Sequence, residues 1–404
     1  MEVNLMQSNL NDSFNSLKSY CEKENFAGWD PYDGLNSKIF RATPLKKWDL
    51  ARLAWIQGFK RSPINFRKLL MVPKQHNAKG IGLFLNGYCN LYILAEKGDT
   101  SFGTKEEILM HIHELAELLL EMQNKDYSGA CWGYNFDWQA RRLFLFPAHT
   151  PTVVATSFCV TALLSAYEIT KNKTYLETAL SAGNFILNDL NRTEYKSGFL
   201  FSYSPLNGNN TVFNASLLGG KVLSQLYSYN KNELYRETAE IAVRTCVEAQ
   251  SEDGSWIYGM LPVQTWIDSF HTGYNLDAIQ TYQDKTGDLQ FNESIEKGFK
   301  YYIENFFLAD GTPKYYHDKT YPIDIHCPGQ LFVNLWINRK FEENKVLADS
   351  VFNWVSNNMQ DKKGYFYYQV KEGMSSKIPY MRWSNAFMFN AMSYLLLEEK
   401  QVTN

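Results

Sequence analysis

The chain has 404 residues, with 40 Lys+Arg against 43 Asp+Glu and a net charge of −3. That balance argues against a basic nucleic-acid binder and gives no support to an anionic-membrane binder. No stretch approaches the roughly 18 uninterrupted apolar residues of a spanning helix, and Met1-Glu2-Val3-Asn4-Leu5 has neither the basic nor the apolar region of a secretory signal.

Six cysteines (Cys21, Cys89, Cys131, Cys159, Cys246 and Cys327) include no CxxC pair, so free thiols and a cytoplasmic location are expected. Aromatic residues reach 15%, and many Tyr and Trp stand in Gly-containing loops. Such rings suit sugar faces and helix ends alike.

Residues 1–37 form an N-terminal extension. It ends in an acidic, aromatic loop, Gly28-Trp29-Asp30-Pro31-Tyr32-Asp33-Gly34, placed to close over a binding mouth. An irregular apolar helix begins near Gly80-Ile81-Gly82-Leu83, and Gly80-Ile81-Gly82 is no phosphate loop, because no Gly-Lys-Ser/Thr follows. An amphipathic helix over 104–123 follows, with Glu114 and Glu117 on its wet face. The loop after it holds Cys131, Trp132, Tyr134, Asp137 and Trp138, then Arg141-Arg142 and His149. The arginine pair suits a phosphate or uronate as well as a local salt bridge.

From Pro151 the chain repeats itself. Small or polar clusters that run into apolar helices start at Pro151, Thr211, Ser269, Asp324 and Met381, spaced 55 to 60 residues apart. Charged, amphipathic helices alternate with them at 173–190, 231–250, 290–307 and 341–359. The first set is apolar nearly all round and belongs inside; the second has one wet face and belongs outside. Gln250-Ser251-Glu252-Asp253-Gly254-Ser255-Trp256 is the clearest copy of the loop after an outer helix, and Gln360 to Phe366 is the second. Gly past a helix end permits a left-handed turn, and the ring beyond it covers the helix end, so these loops are read as structural. An outer helix followed by an inner helix, six times, is an all-α (α/α)6 toroid. It is expected to be a single domain over 1–404.

This layout resembles the superfamily of (α/α)6 toroids, which includes six-hairpin glycosidases, polysaccharide lyases and sugar epimerases, and covers about 38–398. Terpenoid cyclases, prenyltransferase β subunits and lanthionine cyclases are more distant likenesses. The Asp-x-Asp-Asp acid motif of squalene-type cyclases is absent.

In such a toroid the N-terminal ends of the inner helices meet at one mouth. Their free N–H groups and partial positive charge favour polar or anionic ligands. Two inner helices begin with Asp and His: Asp268 with His271, and Asp324 with His326. Either Asp reads as a helix N-cap or as a catalytic group. An N-cap carboxylate is expected to have a lowered pKa, which suits a nucleophile or orienting base. A His paired with it suits a general base. The general acid is then a His, a Tyr, or Asp137 between Phe136 and Trp138.

The sequence therefore points to a carbohydrate as partner. Asp268, Asp324, His271 and His326 are the catalytic candidates. Asp30, Asp33, Trp132, Tyr134, Asp137, Trp138, His149, Asn214, Trp266, Tyr274, Gln330, Arg382 and Trp383 are expected to bind substrate. Glycoside hydrolysis on an oligosaccharide or a surface-polysaccharide precursor leads. Alternatives are uronate lysis or epimerisation, a non-catalytic glycan-binding or scaffold toroid, and a zinc or cyclase-type toroid using Cys131, His271 and Cys327. That zinc set departs from the lanthionine-cyclase order, since His326 precedes Cys327. No cofactor, nucleic-acid partner or membrane insertion is expected, and the oligomeric state is open.

Overall fold

A computed structural model describes residues 2–139 and 145–402, with side chains for 9–139 and 145–399. Arg141 and Arg142 lie outside the described residues. The α-helices are α1 (Glu2–Lys23), α2 (Lys38–Ala42), α3 (Asp49–Arg61), α4 (Ala78–Glu96), α5 (Lys105–Glu121), α6 (Val153–Thr170), α7 (Lys173–Asn184), α8 (Phe213–Asn230), α9 (Glu233–Val247), α10 (Ser269–Thr286), α11 (Asn292–Phe306), α12 (His326–Ile337), α13 (Lys345–Met359) and α14 (Phe387–Val402). One π-helical stretch over Phe185–Asp189 extends α7, and another over Met381–Ala386 leads into α14.

The even-numbered helices from α4 to α14 form a closed inner ring in which each touches the next and α14 touches α4. The odd-numbered helices from α5 to α13 pack outside it. This is the expected six-hairpin toroid. The inner helices approach closely because they carry small residues. In α6, Ala155, Ser157, Ala162 and Ala166 are buried, and Gly82 of α4 lies against the backbone of Phe158 and Cys159. By length and composition α6 is apolar enough to cross a membrane; its sides are covered by α4 and α8. Thr152 caps α6, Asn172 caps α7 and Asn232 caps α9. Left-handed residues Lys171, Lys231 and Gly287 stop α6, α8 and α10.

The segment 1–37 does more than extend the ring. Its first part, α1, is the outer helix that covers α14, and Phe14 packs on Phe389. The repeated loop shows why. Gln250 donates from Nε2 to the Gly254 and Ser294 carbonyls and accepts from Ser294 Oγ. Gln360 repeats this on Gly364 and Ser13 of α1. Each Gln thus ties its loop to the next outer helix, and the last one ties to α1. Gly254 (φ +92°) and Gly364 (φ +95°) are left-handed, and a Cβ there would lie 2.4 Å from the Lys297 carbonyl oxygen and 2.1 Å from that of Ser16. Gly364→Ala is therefore expected to cost about 1–2 kcal/mol from the backbone alone, and more from the clash. Urea unfolding measures it; a loss within error would mean that α1 is not held to the ring at this loop.

Residues 24–77 interrupt the repeat and lie over the N-terminal mouth. Leu35, Phe40 and Ile56 form a small separate core there. Trp55 Nε1 donates to the Gly34 carbonyl, and Arg52 Nε to Gln139 Oε1.

Candidate functional site

Asp268 is the N-cap of α10, accepting from the His271 backbone N–H at 3.0 Å. Its other oxygen accepts from His271 Nδ1 at 2.7 Å and Trp266 Nε1 at 2.9 Å. That contact fixes the hydrogen of His271 on Nδ1 and leaves Nε2 as the free lone pair. The His271 side chain keeps 20% of its surface exposed while the Asp268 side chain has none. Tyr258 stacks on Trp266 and touches His271 at 4.6 Å.

Asp324 behaves differently from the expected N-cap. It lies in a two-residue strand paired with Gln369 and Val370. Its carboxylate accepts from His326 N–H (3.0 Å), Trp383 Nε1 (2.8 Å) and Gln369 Nε2 (2.7 Å). It is wholly buried, and burial pushes its pKa up to about 6, where capping alone predicted a lowered one. Folded Asp324 thus holds its proton to a higher pH than the unfolded side chain does (about 3.9). Between about pH 4 and 6 the folded state binds more protons, so this group's contribution to stability falls as pH rises. Asp324→Asn keeps an acceptor for His326 and Trp383, and Gln369 can turn its amide to meet the new NH₂. The variant is expected to gain thermal stability relative to the parent protein as pH rises from about 4 to about 7. A constant difference across that range would contradict the assignment.

His326 is also buried, but its ring turns away from Asp324. Nε2 meets the Tyr274 hydroxyl at 2.7 Å, Nδ1 lies 3.3 Å from the Trp383 carbonyl, and the ring stacks on Phe387. Burial, then the charges of Lys79 and Arg382, push its pKa well down and hold it neutral. Lys79, on the second position of α4, donates to the same Tyr274 hydroxyl at 3.0 Å and lies 4.2 Å from the centre of the Phe158 ring. Burial, then Arg382, holds its amine well below the usual lysine range. The helices α4 and α10 face each other across the ring, so the Lys79–Tyr274–His326 chain spans the lumen and plugs it.

Phe270 contacts His271, His326 and Trp383. The four catalytic candidates and Arg382 therefore gather at one end of the toroid. Loops 29–34 and 131–139 stand over the same end. Tyr32 packs on Trp138 and Trp383, and the Arg382 guanidinium lies 4.9 Å from the centre of the Tyr134 ring. Tyr134, Trp138, Trp266 and His271 are each partly exposed, and ring and hydroxyl contacts join them to Tyr32, Tyr203, Tyr258 and, through Phe270, Tyr315; this aromatic-rimmed mouth is called the recess.

Other expected substrate contacts fall elsewhere. Trp132 is fully buried and donates Nε1 to the Leu119 carbonyl, as Trp256 does to Cys246. It closes the end of α5 and belongs to the loop repeat. His149 is exposed, with φ +64°, and the contacts of this residue are backbone ones. Asp137 accepts from Ala148 N–H and lies 3.6 Å from Arg41; its side chain is 35% exposed, which is no dry site for a general acid. Asp30, Asp33 and Arg382 are engaged with protein: Arg382 grips both oxygens of Asp30, and Arg67 pairs with Asp33 at 2.7 Å. These buried pairs fasten the mouth loop to the ring. Asn214 and Gln330 are buried and each keeps one polar atom without a protein partner, Oδ1 and Nε2. The zinc set is not assembled. Cys131 Sγ points to the Asn124 carbonyl, Cys327 is buried, and no group of three His, Cys, Asp or Glu side chains among the described residues is placed to hold a metal.

Contributors missed from sequence include Lys79, Lys60, which donates to the Tyr32 hydroxyl, Arg67, and the rings of Tyr203, Tyr258 and Tyr315. Lys79 had a signal, a single lysine in the apolar start of an inner helix.

No protein-family profile and no curated protein sequence matches the chain. Solved structures do. Cellobiose 2-epimerase from Bacillus thermoamylovorans superposes with a TM-score of 0.62 at 15% identity, covering 80% of this chain and 88% of that one. An α-mannanase from Bacteroides thetaiotaomicron gives 0.61 at 12%, covering 81% and 88%. An unsaturated glucuronyl hydrolase from a Bacillus species gives 0.61 at 12%, covering 98% of each chain. The chain therefore has the (α/α)6 toroid fold of the six-hairpin glycosidases and sugar epimerases.

Proposed function

We propose that the chain is a carbohydrate-active enzyme that moves a proton on a sugar carbon, the step shared by epimerisation and aldose–ketose isomerisation. The recess aromatics would stack on the sugar, and His271 would be the base. The carrying observation is the contrast between His271 and the carboxylates. His271 has a fixed tautomer, a free Nε2 and an exposed edge. Asp268 and Asp324 are buried with both oxygens already accepting. Hydrolysis needs two carboxyl groups facing one pocket, about 5–9.5 Å apart, and neither carboxylate faces the recess.

In this reading His271 Nε2 takes the proton from the carbon next to the carbonyl of the open-chain sugar, and the electron pair moves onto the carbonyl oxygen. The neutral His326–Tyr274 pair, buried beneath His271, would serve as the second proton carrier. Return of the proton to the same carbon from the other face gives the epimer; return to the neighbouring carbon gives the isomer. Similarity of fold to a cellobiose epimerase supports the substrate class, but the same fold serves hydrolases, so fold does not choose the reaction. One feature favours hydrolysis: Asp324 holds its proton to about pH 6, as a general acid must.

The test is incubation of a panel of reducing sugars and oligosaccharides in D₂O, followed by NMR. Proton transfer puts solvent deuterium on the carbon beside the carbonyl with no new reducing ends. New reducing ends without exchange would overturn the proposal in favour of hydrolysis, and an ultraviolet-absorbing product would point to lysis.

A further inference from the structure

The plug made by Lys79, Phe158, Tyr274 and Phe387 divides the lumen. Beyond it, toward the C-terminal ends of the inner helices, lies a cavity of about 830 Å³, within the ~300–1,000 Å³ span of small-molecule sites. Its walls follow the repeat. The ninth residue of α4, α6, α8 and α10 is Asn86, Thr161, Lys221 and Asp277 in turn. The inserted turn before α14 brings Asn390 to the same level, where Asn86 donates to it at 2.8 Å. All five line the cavity. The helix α12 breaks the series. Its Asn334 is turned against Gly273 of α10, and it supplies Val333 and Trp336 instead. One turn further on stand Gln225, Thr281 and Tyr394.

These side chains bond sideways around the ring and leave the centre open. Ser165 donates to Asn86, Thr161 and Gln225 share a hydrogen bond, and Thr281 donates to Asp277. Lys221 and Asp277 hold each other at 2.7 and 2.8 Å, so neither charge is free for a ligand ion. What remains at this level is amides and hydroxyls that both donate and accept, beside the faces of Phe158, Trp336 and Tyr394; the charged Asp284, Lys285, Arg339, Glu342 and Glu398 line the outer end toward solvent, where Arg339 pairs with Asp284. An interior facing no ligand and no water would be expected to be apolar.

We propose that this chamber is a second binding site, at the opposite end of the toroid from the recess, for a neutral polyhydroxylated molecule of mono- or disaccharide size. It is independent of the chemistry at His271.

The test uses the full chain carrying fluorotryptophan, with ¹⁹F NMR reading Trp336 at the chamber and Trp266 and Trp383 at the recess, each assigned by a Trp→Phe variant. The probe is sucrose, a non-reducing sugar that proton transfer at the recess cannot consume. Sucrose is expected to shift Trp336 saturably, in the parent chain and equally in His271→Gln. The pair Gln225→Leu with Thr281→Val should weaken that shift by about tenfold. If that pair fails to fold, Thr161→Val, which removes a single hydroxyl, should weaken it several-fold with the melting temperature unchanged. Glucuronate should shift Trp336 far less than sucrose. A Trp336 resonance that sucrose leaves in place, a response confined to Trp266 and Trp383, or an equal response to glucuronate overturns the proposal. None of these results bears on the deuterium-exchange test.

Discussion

Replacing His271 with glutamine is expected to lower turnover by about 10²- to 10⁴-fold while the fold persists. Glutamine can still donate an N–H to Asp268, so the buried carboxylate keeps its three donors (His271 backbone, residue 271 side chain and Trp266). What is lost is the basic Nε2 in the recess. Asp268→Asn provides the complementary result. Asparagine is about as good an N-cap, so helix α10 should hold, but its NH₂ cannot accept from His271 Nδ1–H. The imidazole then loses its fixed tautomer, and turnover should fall even though Asp268 never meets substrate. If His271→Gln stays within a few-fold of the parent in both deuterium exchange and product formation, His271 is a wall residue. The base must then be sought at His326 and Tyr274. Circular dichroism and a melting curve on each variant separate loss of chemistry from loss of fold.

Much of the ring was readable because its signals are local and repeat. Inner helices begin at Val153, Phe213, Ser269 and His326, each within two residues of the polar clusters that announced them. The Gln250–Trp256 loop carried its own explanation, a carbonyl-binding Gln, a left-handed Gly and a ring over the helix end. That logic already applied to Trp132, which composition alone made look like a sugar platform. What stayed hidden depends on contacts between distant residues. Asp30 and Arg382 are 352 positions apart, and nothing local tells a paired, buried Asp from a ligand-facing one. The role of α1 was obscured because its inner partner, α14, lies at the other end of the chain. The polar belt was visible in principle: the ninth residue of α4, α6, α8 and α10 is polar each time, but only the closed ring shows that this level faces a shared space.

Lys221→Met should be among the most destabilising single substitutions in the chain, at about 3–5 kcal/mol. Lys221 and Asp277 are 9% and 7% exposed. Removing the amine leaves Asp277 with only the Thr281 hydroxyl as a protein donor, a largely buried charge stripped of its partner. The double variant Lys221→Met with Asp277→Leu should recover most of that loss, since matched apolar residues replace a buried ion pair at little or no cost. Urea unfolding of both singles and the double closes the cycle. Strong coupling with near-parental stability in the double would show that the pair contributes little net stability, so its presence would need a reason other than holding α8 to α10. Keeping the chamber polar and hydrated is such a reason, and the double variant should then lose the sucrose response at Trp336 while staying folded. A cost below about 1 kcal/mol for Lys221→Met would instead mean that solvent reaches Asp277 freely. The belt at this level would then be an open, wet surface in place of an enclosed wall.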